Sequence, residues 1–211
     1  MRVVGIDASR GAWLAVVLDD GRFAGRTLAQ TIIEILASYA EARAVAIDIP
    51  LGIIETYGRD ADCEARKFIG RRHPAVFPTP PRPVLEAPDY DAARAISVER
   101  GWPKPPIMAY GMRHRIIEAD RAAALDDRLF EVHPEVSFRE LVGRPLDSKH
   151  TLNGLAQRSD ALASAGIQLE GPVNDDLLDA AVAAWSADRY ARGKALPLPE
   201  GHTARLGAIW R

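Results

Sequence analysis

Two apolar runs of this chain end on an aspartate: residues 3–7 close on Asp7, and residues 44–48 close on Asp48. Buried strands exclude lone charges because an unpaired carboxylate away from water either costs several kcal/mol or takes up a proton. Side chains alternate along a strand, so Asp7 shares its face with Gly5, and Asp48 shares its face with two alanines. A helix can approach such small residues closely. The pattern therefore predicts that both aspartates meet a cation or a partner group on one face of a sheet.

A third acidic cluster, residues 175–179, opens an alanine-rich helix predicted over 175–192. Asp176 and Asp179 are three positions apart, so they share one face of this helix. Convergent carboxylates without a cysteine or histidine cluster suit hard divalent cations, Mg²⁺ or Mn²⁺. The sequence therefore predicts a metal site with these carboxylate ligands: Asp7, Asp48, Asp176 and Asp179. The alternative for Asp175 and Asp176 is that they cap the helix and favour its dipole.

The bulk composition narrows the class of protein. With 211 residues and 47% hydrophobic content, the chain can form one core and carry a large insertion. A net charge of -2 argues against a basic surface over the whole protein, although a local basic groove would suffice for nucleic acid. Cys63 is the single cysteine, which excludes a disulfide framework and fits a reducing compartment. No apolar run approaches the ~18 residues of a membrane span, so we expect a soluble cytoplasmic protein that does not enter membranes.

Hydrophobic periodicity predicts a single α/β domain spanning residues 1–211. Three strands, over 2–8, 12–18 and 22–27, form a meander whose second turn is the hairpin signal Asp20-Gly21. A helix over 29–40 follows, and the apolar run 44–49 is expected to be a buried strand parallel to the first. The remaining core elements are a strand at 129–133, a helix that begins at Pro134, and helices over 149–165 and 175–192. This order predicts an RNase H-like mixed sheet flanked by helices.

Residues 50–127 are predicted to form an insertion between the fourth and fifth strands. Most of the chain's prolines lie within it, and helices are predicted over 60–70, 89–100 and 107–125. Phe77, several prolines and Arg82 make one rigid segment that can stack on bases. Basic residues nearby, and Lys149 farther along, can contact phosphates, although a solvated helix face would show the same pattern. The predicted substrate contacts are Arg66, Arg71, Arg72, Phe77, Arg82 and Lys149.

Five motifs occur in order along the chain. They are GIDASRGAW from Gly5, IDIPLG from Ile47, VFPTP from Val76, EVHPE from Glu131 and DLLDA from Asp176. As a set, these motifs resemble the family called domain of unknown function 429, whose members are described as predicted RNase H-fold nucleases. The resemblance covers nearly the whole chain. It implies the same fold as the order of elements, together with hydrolysis of phosphodiester bonds.

A metal-dependent nuclease or phosphodiesterase is the leading interpretation. In the two-metal scheme, cations about 3.5–4 Å apart hold the attacking water and the leaving oxygen on opposite sides of a phosphate. That chemistry needs no nucleophilic side chain, which fits a chain without an evident Ser-His-Asp or Cys-His arrangement. The predicted catalytic residues are Asp7, Asp48, Glu131 and Asp179, with nucleic acid or a nucleotide as the substrate. The alternative for Glu131 is a solvated strand end, and His133 is expected to be a cap or a substrate contact.

Two other classes of function fit part of the sequence. Residues 5–9, followed by the apolar run 13–17, resemble the first phosphate motif of actin-like ATPases, a nucleotide-binding superfamily that shares this fold core. Those proteins need two such domains and a second glycine-rich phosphate loop, neither of which the sequence indicates. The third possibility is a non-catalytic module that binds a partner through the proline-rich insertion. A titration with a divalent metal would separate the catalytic interpretation from this last one.

Overall fold

A five-stranded mixed sheet forms the centre of the computed structural model, which describes residues 1–9 and 11–211. The strands are β1 (Arg2–Ser9), β2 (Ala12–Asp19), β3 (Arg22–Ala29), β4 (Val45–Ile47) and β5 (Leu129–Glu131). They lie in the order β3-β2-β1-β4-β5. The first three are an antiparallel meander, whereas β4 runs parallel to β1 and β5 runs parallel to β4. This order and these directions make the RNase H-like mixed sheet that the sequence predicts.

The helices follow β3, β4 and β5 along the chain. They are α1 (Ile32–Ser38), α2 (Asp60–Ile69), α3 (Arg82–Leu85), α4 (Tyr90–Glu99), α5 (Ile107–Gly111), α6 (Arg113–Leu125), α7 (Pro134–Val142), α8 (Leu152–Ser164) and α9 (Asp175–Ala191). A 3-10 helix covers Gly70–Ala75, and two short strands near the C-terminal end, β6 (Pro197–Leu198) and β7 (Ile209–Trp210), form a separate hairpin. Periodicity does not predict β6 and β7, because strands of two residues are too short to show alternation.

Local sequence explains how the meander turns. Between β2 and β3, Asp20 and Gly21 have φ angles of 49° and 78°, which these residue types tolerate better than most. The predicted Asp-Gly hairpin is therefore present. The turn predicted between β1 and β2 includes Arg10, which lies outside the described residues. α1 begins later than predicted, because β3 continues to Ala29 and Thr31 caps the helix.

Each face of the sheet is covered by its own layer of helices. α7, α8 and α9 pack on the face that carries Val3 and Gly5, whereas α1 and α6 pack on the face that carries Val4 and Ile6. Side-chain alternation along β1 produces this division. Both faces are buried, so β1, β4 and β5 can be almost wholly apolar until they reach their carboxyl ends.

Gly5 is the point where α9 comes closest to the sheet. A Cβ atom at Gly5 would lie 2.0 Å from the Ala184 backbone nitrogen and 2.2 Å from the Ala180 carbonyl oxygen. Such distances leave no room for any side chain. The alanines of α9 provide the matching shallow surface, since Ala180, Ala183 and Ala184 are fully buried. The small-residue face predicted from the sequence therefore lies under a helix, which fixes the height of α9 above β1.

Residues 48–128 connect β4 to β5 and contain α2 to α6. α3 and α4 enclose a small apolar core that includes Val84, Ala93 and Tyr110, and α6 returns to the sheet. The helix predicted over 107–125 is divided into α5 and α6, because Met112 leaves helical geometry with φ -88° and ψ 0°. Gly111, a poor helix former, precedes this break.

Candidate active site

Asp7 and Asp48 lie side by side where two parallel strands end. Ile6 of β1 pairs with Ile47 of β4, and the Asp48 backbone N–H donates to the Ile6 carbonyl oxygen at 3.0 Å. Asp7 is only 7% exposed, and its Oδ1 accepts a hydrogen bond of 2.7 Å from the Ala8 backbone N–H. Alternation along the strands turns both carboxylates toward the face that α9 covers.

α9 brings a third acid to the same edge of the sheet. Asp179 lies one turn inside the helix and is 2% exposed. The helix is capped by Asn174, whose side chain accepts from the Leu177 N–H at 3.0 Å, so the capping role considered for Asp175 and Asp176 belongs to their neighbour. Asp176 instead accepts a 2.5 Å hydrogen bond from the Ser9 hydroxyl, which joins the start of α9 to the end of β1.

Lys149 supplies a positive charge to this acidic cluster. Its Nζ lies 2.6 Å from Asp179 Oδ2, and its side chain is about one-third exposed at 32%. The segment that carries it packs tightly on α8, where a Cβ at Gly154 would lie 2.0 Å from the Ser148 carbonyl oxygen. Arg158 also donates to the Asp147 carbonyl oxygen at 2.8 Å. The position of the lysine is therefore fixed by the backbone on its N-terminal side.

The three carboxylates raise one another's affinity for protons. Burial, with further contributions from Asp48 and Asp179, raises the pKa of Asp7 well above its ordinary value. Burial raises the pKa of Asp48 to about 7 and that of Asp179 to about 6, although Lys149 opposes both shifts. Burial alone would lower the pKa of Lys149, but Asp179 and the two strand aspartates raise it above its usual range. Fully ionised, the cluster would therefore carry more negative charge than one ammonium group balances.

A cavity of about 720 Å³ opens beside the cluster. Asp48, Asp179 and Lys149 form part of one wall. Residues of the segment between β4 and β5 also line the cavity, among them the apolar residues Phe77, Pro106, Ile107, Met108 and Met112. Volumes of roughly 300–1,000 Å³ are typical of sites that enclose a small ligand or one unit of a larger one. The acidic cluster therefore borders a partly open cavity.

The chain is similar to a known protein family and to a solved structure. Residues 5–204 match the model of the family described as Protein of unknown function (DUF429). The chain belongs to the DUF429 family. A solved structure of RuvC from Thermus thermophilus is similar to the DUF429 protein over 92% of this chain and 97% of that chain, with 13% identity and a TM-score of 0.39. That likeness is too distant to support an inference about function. No curated protein gave a significant match.

Glu131 of the DUF429 protein does not join the aspartates. It pairs in register with Ile47, on the sheet face opposite to Asp7 and Asp48, because alternation along β5 turns it away from α9. Its carboxylate accepts from Arg59 at 2.5 and 2.6 Å and from the Leu51 N–H at 2.8 Å. Burial raises the pKa of Glu131 to about 6 against the opposing effect of Arg59. In the structure Glu131 is therefore engaged in a buried ion pair with Arg59, on the other face of the sheet from the aspartates.

Arg59 is the centre of a buried network that the sequence does not reveal. It is 4% exposed and also pairs with Asp62 at 2.5 Å, while Asp62 Oδ2 accepts from the Thr79 N–H at 2.7 Å. In the sequence these residues look like an ordinary charged helix start. The network ties the beginning of α2 and the segment before α3 to the end of β5. Hydrophobic periodicity cannot detect it, since it depends on residues that are 72 positions apart.

The predicted substrate contacts divide into two groups. Arg72, Phe77 and Lys149 line the cavity. Arg66 donates to the Val76 carbonyl oxygen at 2.6 Å, and Arg82 pairs with Asp120 at 2.7 Å, so both arginines stabilise the segment between β4 and β5. The sixth residue of the set is Arg71, which is exposed beside the cavity-lining Arg72.

His133 and Glu135 complete the wall of the cavity. His133 caps α7, with Nδ1 accepting from the Glu135 N–H at 3.2 Å, and burial lowers the pKa of its imidazole. The helix start predicted at Pro134 is present. Glu135 Oε1 is held between Arg158, at 2.7 Å, and Arg72, at 3.0 Å. Glu135 lies in the first turn of α7 and positions the Arg72 guanidinium at the cavity.

The cluster has the donor chemistry of a site for a hard cation, but its atoms are not arranged around one. Over residues 1–9 and 11–211, no three His, Cys, Asp or Glu side chains are grouped closely enough to hold a metal ion. Lys149 lies against Asp179, where a cation would be attracted. The excess of carboxylate groups and the oxygen donors fit Mg²⁺ or Mn²⁺.

In the described part of the chain, none of the helices is long and apolar enough to cross a membrane.

We expect the metal-free protein to lose stability as the pH rises from 5 to 8. The pKa of Asp48 is about 7 in the folded chain and 3.8 ordinarily, so its favourable contribution is complete below 3.8 and is lost as the pH passes 7. Asp179 acts in the same direction up to about 6. Thermal unfolding in a chelator at several pH values measures this loss. Asp48→Asn should be more stable than the parent by about 2 kcal/mol at pH 8 and by roughly a third of that at pH 5. An equal difference at both pH values would contradict the assignment.

Proposed function

We propose that this DUF429 protein is a divalent-metal-dependent phosphodiesterase that cleaves nucleic acid. The observation that supports this most directly is the cluster of Asp7, Asp48 and Asp179. It combines two buried carboxylates, Asp7 and Asp179, and the partly buried Asp48 with a single ammonium group, which lies 2.6 Å from Asp179. A protein has little reason to keep so much unbalanced charge at the edge of a cavity unless a cation or an anionic substrate completes it.

Asp7, Asp48 and Asp179 would hold the cation, and Asp176 is a further oxygen donor one turn away on α9. A divalent cation bound there would supply Lewis acidity toward the phosphate and a water of lowered pKa. Lys149 has a different part. Its ammonium group has three N–H donors and makes one contact with Asp179, so further donors can reach a phosphate oxygen with or without the cation. Arg72, held against Glu135, adds a second cation to the lining of the cavity.

Glu131 is not part of this proposal. Its carboxylate is already matched by Arg59, which is itself buried and cannot lose its charge. Separating the two would leave an uncompensated buried ion, which costs about 3–5 kcal/mol. The proposed catalytic set is therefore smaller than the one that the sequence predicts.

The experiment that tests the proposal exchanges Lys149 for methionine and measures two quantities. Binding of Mn²⁺, followed by calorimetry, should become about tenfold tighter, because the ammonium group no longer competes for Asp179. Cleavage of a single-stranded oligonucleotide should fall, because the phosphate loses a donor. Lys67→Met is the matched control, since Lys67 pairs with Glu64 on the surface of α2 and should change neither quantity.

The proposal predicts that the Lys149→Met variant binds Mn²⁺ more tightly and cleaves more slowly. If Lys149 had only a structural role, its loss would weaken both metal binding and cleavage. If the parent protein binds no Mn²⁺ and cleaves no single-stranded, duplex or branched substrate, the proposal is wrong. The non-catalytic binding module would then be the better account of the fold.

A further inference from the structure

The cavity beside the acidic cluster has two chemically different walls. One carries ionic groups, namely Asp48, Asp179, Lys149 and Arg72. The other is the apolar part of the lining, chiefly Phe77, Ile107 and Met108, which belong to the segment between β4 and β5 that also carries Arg72. The proposed cleavage reaction involves only the ionic residues. A ligand that fills the cavity must be anionic at one end and flat or apolar at the other.

The apolar wall is presented to solvent, not packed into the protein. Ile107 is 68% exposed and Met108 is 79% exposed, although they are adjacent and lie at the start of α5. Single exposed apolar residues are common, but neighbouring ones at the mouth of a cavity often mark a binding surface. Pro105 and Pro106 precede α5 and limit its backbone freedom. The wall is therefore held in place without being covered.

The dimensions favour one nucleotide over a duplex. The cavity encloses about 720 Å³, within the usual range for sites that surround one small group. Bases of a duplex are stacked and paired, so an enzyme reaches them only in single strands or after flipping a nucleotide out. Faces of unstacked bases bind aromatic and apolar side chains whatever their sequence.

We propose that this cavity is a pocket for one unstacked nucleobase, which lies against Phe77, Ile107 and Met108 while its phosphate lies beside Lys149 and Arg72. The inference rests on the proposed function, because a phosphate at the carboxylates is what brings the base within reach of this wall. It commits to a nucleotide within a single strand, since a free mononucleotide has no phosphodiester bond to cleave. It explains why the acids lie beside a cavity and predicts little preference among bases.

The test measures binding to a single-stranded oligonucleotide that carries 2-aminopurine, whose fluorescence reports unstacking. In a chelator, the Ile107→Ser, Met108→Ser double variant should bind about tenfold more weakly than the parent, as should an oligonucleotide with an abasic site in place of the fluorescent base. Duplex of the same sequence should bind the parent at least tenfold more weakly than the single strand. Val98→Ser is the matched control, because Val98 is 80% exposed on α4 and does not line the cavity.

Equal binding of duplex and single strand, or a double variant as tight as the parent, would overturn the pocket. Mn²⁺ binding is measured on the same proteins and should be unchanged in the double variant. If the parent binds Mn²⁺ and cleaves normally, but binds the abasic oligonucleotide as tightly as the one with a base, the pocket is rejected and the proposed function stands. Absence of both metal binding and cleavage would reject the proposed function, and the measurements in chelator would still decide the pocket.

Discussion

Replacing Asp7 with asparagine is expected to reduce metal-dependent cleavage by at least about 10³-fold while leaving the fold intact. Asparagine keeps the shape of the side chain, including the oxygen that accepts from the Ala8 N–H at 2.7 Å. It removes the charge that a cation would need. Burial and the neighbouring Asp48 and Asp179 already raise the pKa of Asp7, so the charge is costly in the absence of metal. The metal-free variant should therefore unfold roughly 2–4 °C higher than the parent at pH 8.

Two measurements check this expectation: Mn²⁺-dependent cleavage, and thermal unfolding with and without the metal. Asp188→Asn is the control, because Asp188 lies on α9 but pairs with Arg192 at the surface. That variant should keep its activity and its response to Mn²⁺. Undiminished cleavage by Asp7→Asn would dismiss the assignment of Asp7 to the metal site, whatever its effect on stability.

Gly5→Ala is expected to be among the most destabilising single substitutions in the chain. Its methyl group would meet the Ala184 nitrogen at 2.0 Å and the Ala180 oxygen at 2.2 Å. Both are backbone atoms of a buried helix, so neither can turn aside, and α9 must move away from the sheet. Overpacking of a core costs about 1–3 kcal/mol, and this site should lie at or above the upper end of that range. For a protein of this size, the melting temperature should fall by roughly 6–12 °C.

The same shift should reduce activity in the fraction that remains folded, since Asp179 moves with α9. Gly111→Ala provides the comparison, because a methyl group there would meet no described atom within 4 Å. It should unfold near the parent's temperature. A Gly5→Ala protein that melts with the parent would show that α9 has more freedom above β1 than its contacts imply.

Much of the fold could be predicted because the informative residues are close together in the sequence. The runs that end on Asp7 and Asp48 define two strands, and alternation alone assigns their faces. The pair Asp176 and Asp179 defines one helix face by the same kind of local rule. These rules depend on spacing within one element, which the sequence displays directly.

Contacts between distant elements could not be predicted in this way. Glu131 lies in a strand of only three residues, too short for alternation to assign its face, and its partner Arg59 looks like a surface residue. Lys149 was expected to contact the substrate, but nothing in the local sequence indicates its ion pair with Asp179. The ligand roles of the aspartates remain predictions, because the described side chains are not grouped closely enough to hold a metal ion.

The buried pair of Arg59 and Glu131 has a consequence for how this protein could change during evolution. One charge belongs to the sheet, and the other belongs to the long segment between β4 and β5. A shorter descendant that lost the segment would keep a carboxylate in its interior with no counter-ion. Loss of the segment would therefore be tolerated better after Glu131 had been replaced by a neutral residue. A different segment inserted at the same place would need a cation of its own to pair with Glu131. The ion pair between Arg59 and Glu131 therefore makes loss of the segment between β4 and β5 energetically costly.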